Sequence, residues 1–135
     1  MFGYFSARVA SGHVVDLTAP PLDRDAALWT HPTSYGPCQG LADVAREAGV
    51  EVIRYLSVRD PGQGMNLAVL APAAFASHQP EAWQTWRLFI RPAAVQAFRE
   101  MPRAAIEFRT EDWASDERVA AALRAADLSP AGEAP

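Results

Sequence analysis

Apolar positions repeat along this chain with two periods, and each period predicts a kind of element. From Val50 to Val58 the residues alternate, Val52, Arg54, Leu56 and Val58 against Glu51, Ile53, Tyr55 and Ser57, which predicts a strand apolar on both faces with polar ends. Asn66-Leu67-Ala68-Val69-Leu70 is a continuous apolar run of strand length, closed by Ala71-Pro72, and Pro72 to Phe75 suits one helical turn. Trp83 to Ile90 alternates over a long strand, Ala105 to Arg109 reads as an edge strand, and shorter strands are predicted at Phe2 to Val9 and His13 to Leu17.

The helical period is clearest in Pro37 to Ala48. Leu41, Val44, Ala45 and Ala48 form its apolar face, Pro37 suits the first turn, and Gly49 is a good stop. Asp23 is positioned to cap a short helix running through Trp29, with irregular chain from Thr30 to Gly36. Ala93 to Glu100 reads as helical, and Asp116 to Ala126 as an Ala-rich amphipathic helix. Helices and strands in this mixed order make an α+β chain, with one domain expected over residues 1–128 and a disordered tail over 129–135.

Composition narrows the chemistry. At 135 residues and 50% hydrophobic, the chain has apolar mass for one core. A net charge of -4 supplies no broad positive field, so nucleic acid is not an expected direct partner. All 12 basic residues are arginine, which excludes Schiff-base catalysis and the P-loop lysine. A single cysteine, Cys38, makes an intrachain disulfide impossible and excludes a Cys-rich zinc site. No apolar stretch reaches a membrane span of about eighteen residues, and a cytoplasmic protein is expected. His13, His31 and His78 lack ligand spacing, so no metal is expected. Trp83 and Trp86 fall on opposite faces of one strand and suit core or interface better than base stacking.

The polar loop Ser57-Val58-Arg59-Asp60-Pro61-Gly62-Gln63-Gly64 stands out because it separates two strongly apolar strands. It brings a hydroxyl, a guanidinium and a carboxylate within four residues, and its glycines let a ligand approach the backbone closely. Gly62-Gln63-Gly64 opens no helix and no lysine follows, so the loop is neither a Rossmann nor a Walker motif. Asp60, followed by proline, is a turn former, and by itself the loop reads as an ordinary hairpin turn.

The order of parts around that loop carries more. Tyr35-Gly36-Pro37-Cys38-Gln39, a helix, Tyr55-Leu56-Ser57-Val58-Arg59-Asp60-Pro61-Gly62 and then Asn66-Leu67-Ala68-Val69-Leu70 together resemble the C-terminal portion of a RES domain. Val15 to Pro21 and Gln84 to Leu88 extend the resemblance over roughly residues 2 to 110. It implies an ADP-ribosyltransferase-like fold and the activity of bacterial toxins that consume NAD, as substrate and not as cofactor, by phosphorolysis or hydrolysis of the nicotinamide–ribose bond. It further implies a helical antitoxin with a DNA-binding domain as partner. On this resemblance Ser57 is the catalytic serine, and Arg59, Asn66 and Gln39 are NAD-binding positions; Asn66 suits equally a cap on the preceding turn. The family's arginine and glutamate belong before the strand matched by Phe2 to Val9, and the chain is therefore expected to be an incomplete member.

A rival expectation is a non-catalytic interaction module, or one half of a split protein, pairing through the edge at Phe2 to Val9. A homo-oligomer is one form of that pairing. Phe2, Tyr4 and Phe5 need burial against something, and aromatic edges invite it.

Overall fold

A computed structural model describes residues 1–128 of the chain, and the expected tail at 129–135 lies outside the described residues. Its contacts gather into two compact units, Phe5–Trp83 and Met1–Tyr4 with Gln84 onward. The mixture of helices and strands is α+β, as the patterning predicts.

In the Phe5–Trp83 unit, three strands form one sheet in the order β2 (Val14–Asp16), β3 (Val52–Leu56), β4 (Met65–Val69). β2 runs parallel to β3 and β4 antiparallel to it. Val50 to Val58 is apolar on both faces only at its start: Val52 and Ile53 are buried, whereas Leu56 and Val58 are exposed beside the loop. Between β2 and β3 lie a 3-10 turn at Leu22–Asp25, the short helix α1 (Ala26–Trp29) and the helix α2 (Gly36–Glu47). Asp23 caps neither: it sits inside the 3-10 turn, which starts after Pro21 without a side-chain cap.

α2 begins with proline in its first turn and ends at Gly49, whose φ of 74° is the left-handed conformation a helix stop favours. Its covered stripe is Cys38, Leu41, Ala42 and Ala45 rather than the expected set, because Val44 is 64% exposed and Ala48 is exposed. Leu17, Ala45 and Ile53 form the buried centre, with Trp29, Leu41, Ala68 and Leu70 packed around it. Fully burying a side chain such as Ile53 contributes about 1.5–3 kcal/mol, and this layer of helix on sheet holds the loop after β3 in place.

The other unit is built on a four-stranded sheet ordered β1 (Phe2–Ser6), β5 (Glu81–Arg91), β6 (Ala94–Arg99), β7 (Ala104–Arg109). The helix expected at Ala93 to Glu100 is instead the strand β6. The chain turns in two residues, since Arg91 pairs with Ala94, and β6 then hydrogen-bonds to a neighbour on both sides. Ala97 is 6% exposed at the middle of this strand, so cross-strand pairing overrides the helix propensity of its alanines. A 3-10 turn at Thr110–Trp113 and the helix α3 (Glu117–Leu128) follow. The first strand stops at Ser6, with Val9 making a lone bridge to Phe75, and Phe2, Tyr4 and Phe5 remain 59, 54 and 49% exposed. Among the described residues no helix is long and apolar enough to cross a membrane.

Candidate functional site

The register of β3 and β4 decides which side chains can act together. Ile53 pairs with Ala68 and Tyr55 with Asn66, and the Ser57 amide continues the ladder by donating to the Gly64 carbonyl at 2.9 Å. Because side chains alternate across a strand, Ile53, Tyr55, Ser57, Asn66, Ala68 and Leu70 share one face. That face is the one packed against Leu41, Ala42 and Ala45 of α2.

A cavity of about 280 Å³ opens between this face and the helices. Leu17, Leu41, Ile53, Ala68 and Leu70 make its apolar body, and Trp29, His31, Tyr35, Tyr55 and Arg59 bring its polar atoms. The Trp29 indole Nε1 is buried without a hydrogen-bond partner. Leaving such a donor unmatched costs about 1–3 kcal/mol, which makes this side chain a candidate contact for an acceptor brought from outside.

At the exposed rim, one guanidinium ties two segments together. Arg59 Nη2 donates to the Pro32 carbonyl at 3.0 Å and to Tyr35 Oη at 2.9 Å, while Tyr35 Oη donates to the same carbonyl at 3.0 Å. His31 is oriented by its own segment, its Nδ1 accepting the amides of Thr33 at 3.2 Å and Ser34 at 2.9 Å. Cys38, in the first turn of α2, donates its thiol to the Tyr35 carbonyl at 3.1 Å and is half-buried in the cavity wall.

The loop itself is a self-contained turn. The Asp60 carboxylate accepts the amides of Gly62 and Gly64, both at 2.9 Å, and Ser57 Oγ accepts the Asp60 amide at 3.2 Å. Gln63 takes a φ of 51° at the tip. A Cβ on Gly64 would lie 2.5 Å from Asp60 Oδ2, so any larger residue there displaces the carboxylate from its present position. Asp60 thus holds the turn, as its place before proline suggests, and the Gly62 and Gly64 amides are engaged by the protein's own anion.

Of the residues singled out from the sequence, Arg59 lines the cavity. Ser57 and Asn66 are half-buried on the same sheet face, Asn66 one same-face step beyond the Ile53–Ala68 pair and Ser57 two. Asn66 does not cap the turn, because Asp60 and Ser57 do; it stands mid-strand opposite Tyr55. Gln39 is exposed on α2 and contributes nothing to the cavity wall. Trp29, His31, Tyr35 and Tyr55 escaped the sequence reading as site residues. Tyr35 stood in the motif order already noted, but its contact with Arg59 spans 24 positions and no local pattern reports it.

Acids lie elsewhere. Asp16 is on the opposite sheet face, where the Thr18 hydroxyl first, then the Thr18 amide and the Arg54 guanidinium, hold its carboxyl below the ordinary 3.8. Among the described residues no three of His, Cys, Asp and Glu gather as metal ligands would.

Compared with known proteins, residues 1–91 match the model of one family, described as the RES domain. No curated protein matches the chain. The matched stretch contains both strands, the loop and every residue of the cavity wall.

Proposed function

Because this chain belongs to the RES domain family, we propose that it binds NAD and serves cleavage of the nicotinamide–ribose bond, with Ser57, Arg59 and Asn66 as its contribution to the site. One observation carries the reading: Ser57 and Asn66 share a sheet face with an apolar cavity whose rim holds Arg59. The Ser57 oxygen already accepts an amide, so its proton is the part offered to a ribose or phosphate oxygen. Arg59 exchanges its bonds to Pro32 and Tyr35 for charge-assisted bonds to the diphosphate. Gln39 stands at the periphery of this arrangement.

Breaking the glycosidic bond develops positive charge on the ribose, which calls for a carboxylate close by. Asp60 engages both of its oxygens with glycine amides. In this reading the carboxylate and a second arginine come from a further segment or from another chain, and phosphate or water is the acceptor. The family setting makes the protein a toxin in a toxin–antitoxin pair, acting in the cytoplasm and silenced by a helical, DNA-binding antitoxin over the cleft.

A second reading is favoured by the aromatics left exposed on β1, an edge strand. Here the chain is a non-catalytic module that pairs through that edge with a partner or with a second copy.

Calorimetry of the full chain with NAD, combined with an assay of nicotinamide release in phosphate buffer, separates these readings. Wild type is expected to bind NAD, and Ser57→Ala and Arg59→Met each to bind about tenfold more weakly, the loss of one hydrogen bond to a charged group. Release of nicotinamide by wild type supports an active site complete in this chain, and binding without release supports one completed elsewhere. Absence of NAD binding sinks the NAD reading and leaves the interaction module.

A further inference from the structure

One wall of the cavity is a strap with little to hold it down. Thr30, His31, Pro32 and Tyr35 all border the cavity, yet they belong to the irregular stretch between α1 and α2. Of residues 31–35 none is buried, and Pro32 alone is half-buried. The strap is anchored at its two ends. The Ala26 carbonyl accepts the Thr30 amide at 3.0 Å and the Thr30 hydroxyl at 2.7 Å, and the Tyr35 carbonyl accepts the Gln39 amide at 2.9 Å. Between these anchors the strap bonds to itself, from the Thr33 and Ser34 amides to His31 Nδ1 and from Tyr35 Oη to the Pro32 carbonyl. A segment with few buried contacts and its own hydrogen bonds can open as a unit without unfolding its neighbours.

Across the rim, Arg59 reaches this strap from the loop after β3, donating through one nitrogen to the Pro32 carbonyl and to Tyr35 Oη. Both acceptors are neutral. A guanidinium bonds more strongly to an oxyanion than to a carbonyl or a phenol, so phosphate oxygens compete well for that nitrogen. Arg59 is engaged beyond these two bonds as well, and the Tyr35 phenol is the part of the contact that can be removed by itself. We propose that residues 30–35 form a gate over the cavity and that the Arg59–Tyr35 contact is its latch, released when an oxyanion takes the guanidinium. The inference rests on the reading of Arg59 as a diphosphate contact above. It adds that the cavity opens to molecules carrying a phosphate-type group in preference to those without one.

Cys38 reports the gate without any turnover, because its half-buried thiol lines the cavity beside the strap. In the full chain at fixed pH, the rate of Cys38 alkylation by iodoacetamide is expected to rise at least threefold in Tyr35→Phe and in Arg59→Met. The double variant is expected to fall short of the product of the two effects, since both break one latch. Arg46→Met, which breaks an exposed pair with Asp43 on the same helix as Cys38, is expected to leave the rate unchanged. Inorganic pyrophosphate is expected to speed alkylation of wild type at least twofold over sodium chloride of equal ionic strength, and to do nothing in Arg59→Met. Unchanged rates in the two latch variants overturn the proposal, as does an equal rise in Arg46→Met, which would mean that the helix loosens. A double variant that reaches the full product overturns the shared latch. Pyrophosphate without effect on wild type, or with the same effect on Arg59→Met, overturns release by an oxyanion. NAD binding with unchanged variant rates sinks the latch alone, and raised rates in a chain that fails to bind NAD sink the NAD reading alone.

Discussion

Ala68→Leu tests whether the cavity is open space in solution, through the sign of a stability change. Ala68 is half-buried in β4 opposite Ile53, and its side chain borders the cavity. Leucine adds three carbons. If they enter existing space, their burial is worth about 0.8 kcal/mol each, or roughly 2.4 kcal/mol. Ordering the longer side chain costs about 0.5–1 kcal/mol, leaving a net gain of about 1.5 kcal/mol. For a chain of this length that raises the melting temperature by about 4–6 °C, readable by calorimetry and by a urea midpoint moved to higher concentration. Were the space absent, the same substitution would overpack the core and cost about 1–3 kcal/mol. Ala97→Leu serves as the contrast, since Ala97 is 6% exposed in β6 and borders no such cavity. It is expected to destabilise by that overpacking amount. A lowered melting temperature for Ala68→Leu would refute the reasoning, because it would mean the helices close onto the sheet in solution.

Two further predictions concern local anchors. Asp60→Ala and Gly64→Ala are expected to speed hydrogen exchange at the Gly62 amide to the same extent, and the double variant no further, because both remove the same carboxylate clamp; unchanged exchange in Gly64→Ala would contradict the clamp. At the start of α3, the Asp116 carboxyl is held down to about 2, chiefly by the Arg118 guanidinium and then by the Arg118 amide. A carboxyl whose folded value lies below its ordinary 3.8 contributes stability that is present above that value and is lost as pH falls toward 2. An NMR titration should therefore show the first turn of α3 loosening between about pH 4 and pH 2, and a midpoint near 4 for Asp116 would show the pairing does not form.

How much of this was legible in the sequence depended on how local the cause was. The helix Gly36–Glu47 announced itself through a proline at its start, a repeat on one face and a glycine at its end, all within fourteen positions. The strands around the loop were equally plain, since their runs of apolar and β-branched residues favour extended chain locally, although Leu56, Met65 and Leu67 stay exposed. Ala93 to Glu100 misled because alanine and glutamate favour helix locally, while the deciding contacts are ladders to β5 and β7 that no short window contains. Val44 misled differently: the apolar repeat admits two adjacent stripes on the helix, and the sheet covers the one centred on Ala45. At the candidate site, the loop and Arg59 were visible because a polar segment between apolar strands is conspicuous. Trp29, His31 and Tyr35 lie in the irregular stretch before α2, and only the fold brings them across to Arg59 and Tyr55.

The Asp60 turn bears on how any ligand charge is met. Glycine amides between two strands are ordinarily an invitation to a phosphate. Here a carboxylate two and four residues away in the same chain competes for them intramolecularly. The turn is thus internally neutralised and selects against inorganic anions. Anion recognition passes to side chains such as Arg59, whose hold on an exposed partner weakens as ionic strength rises.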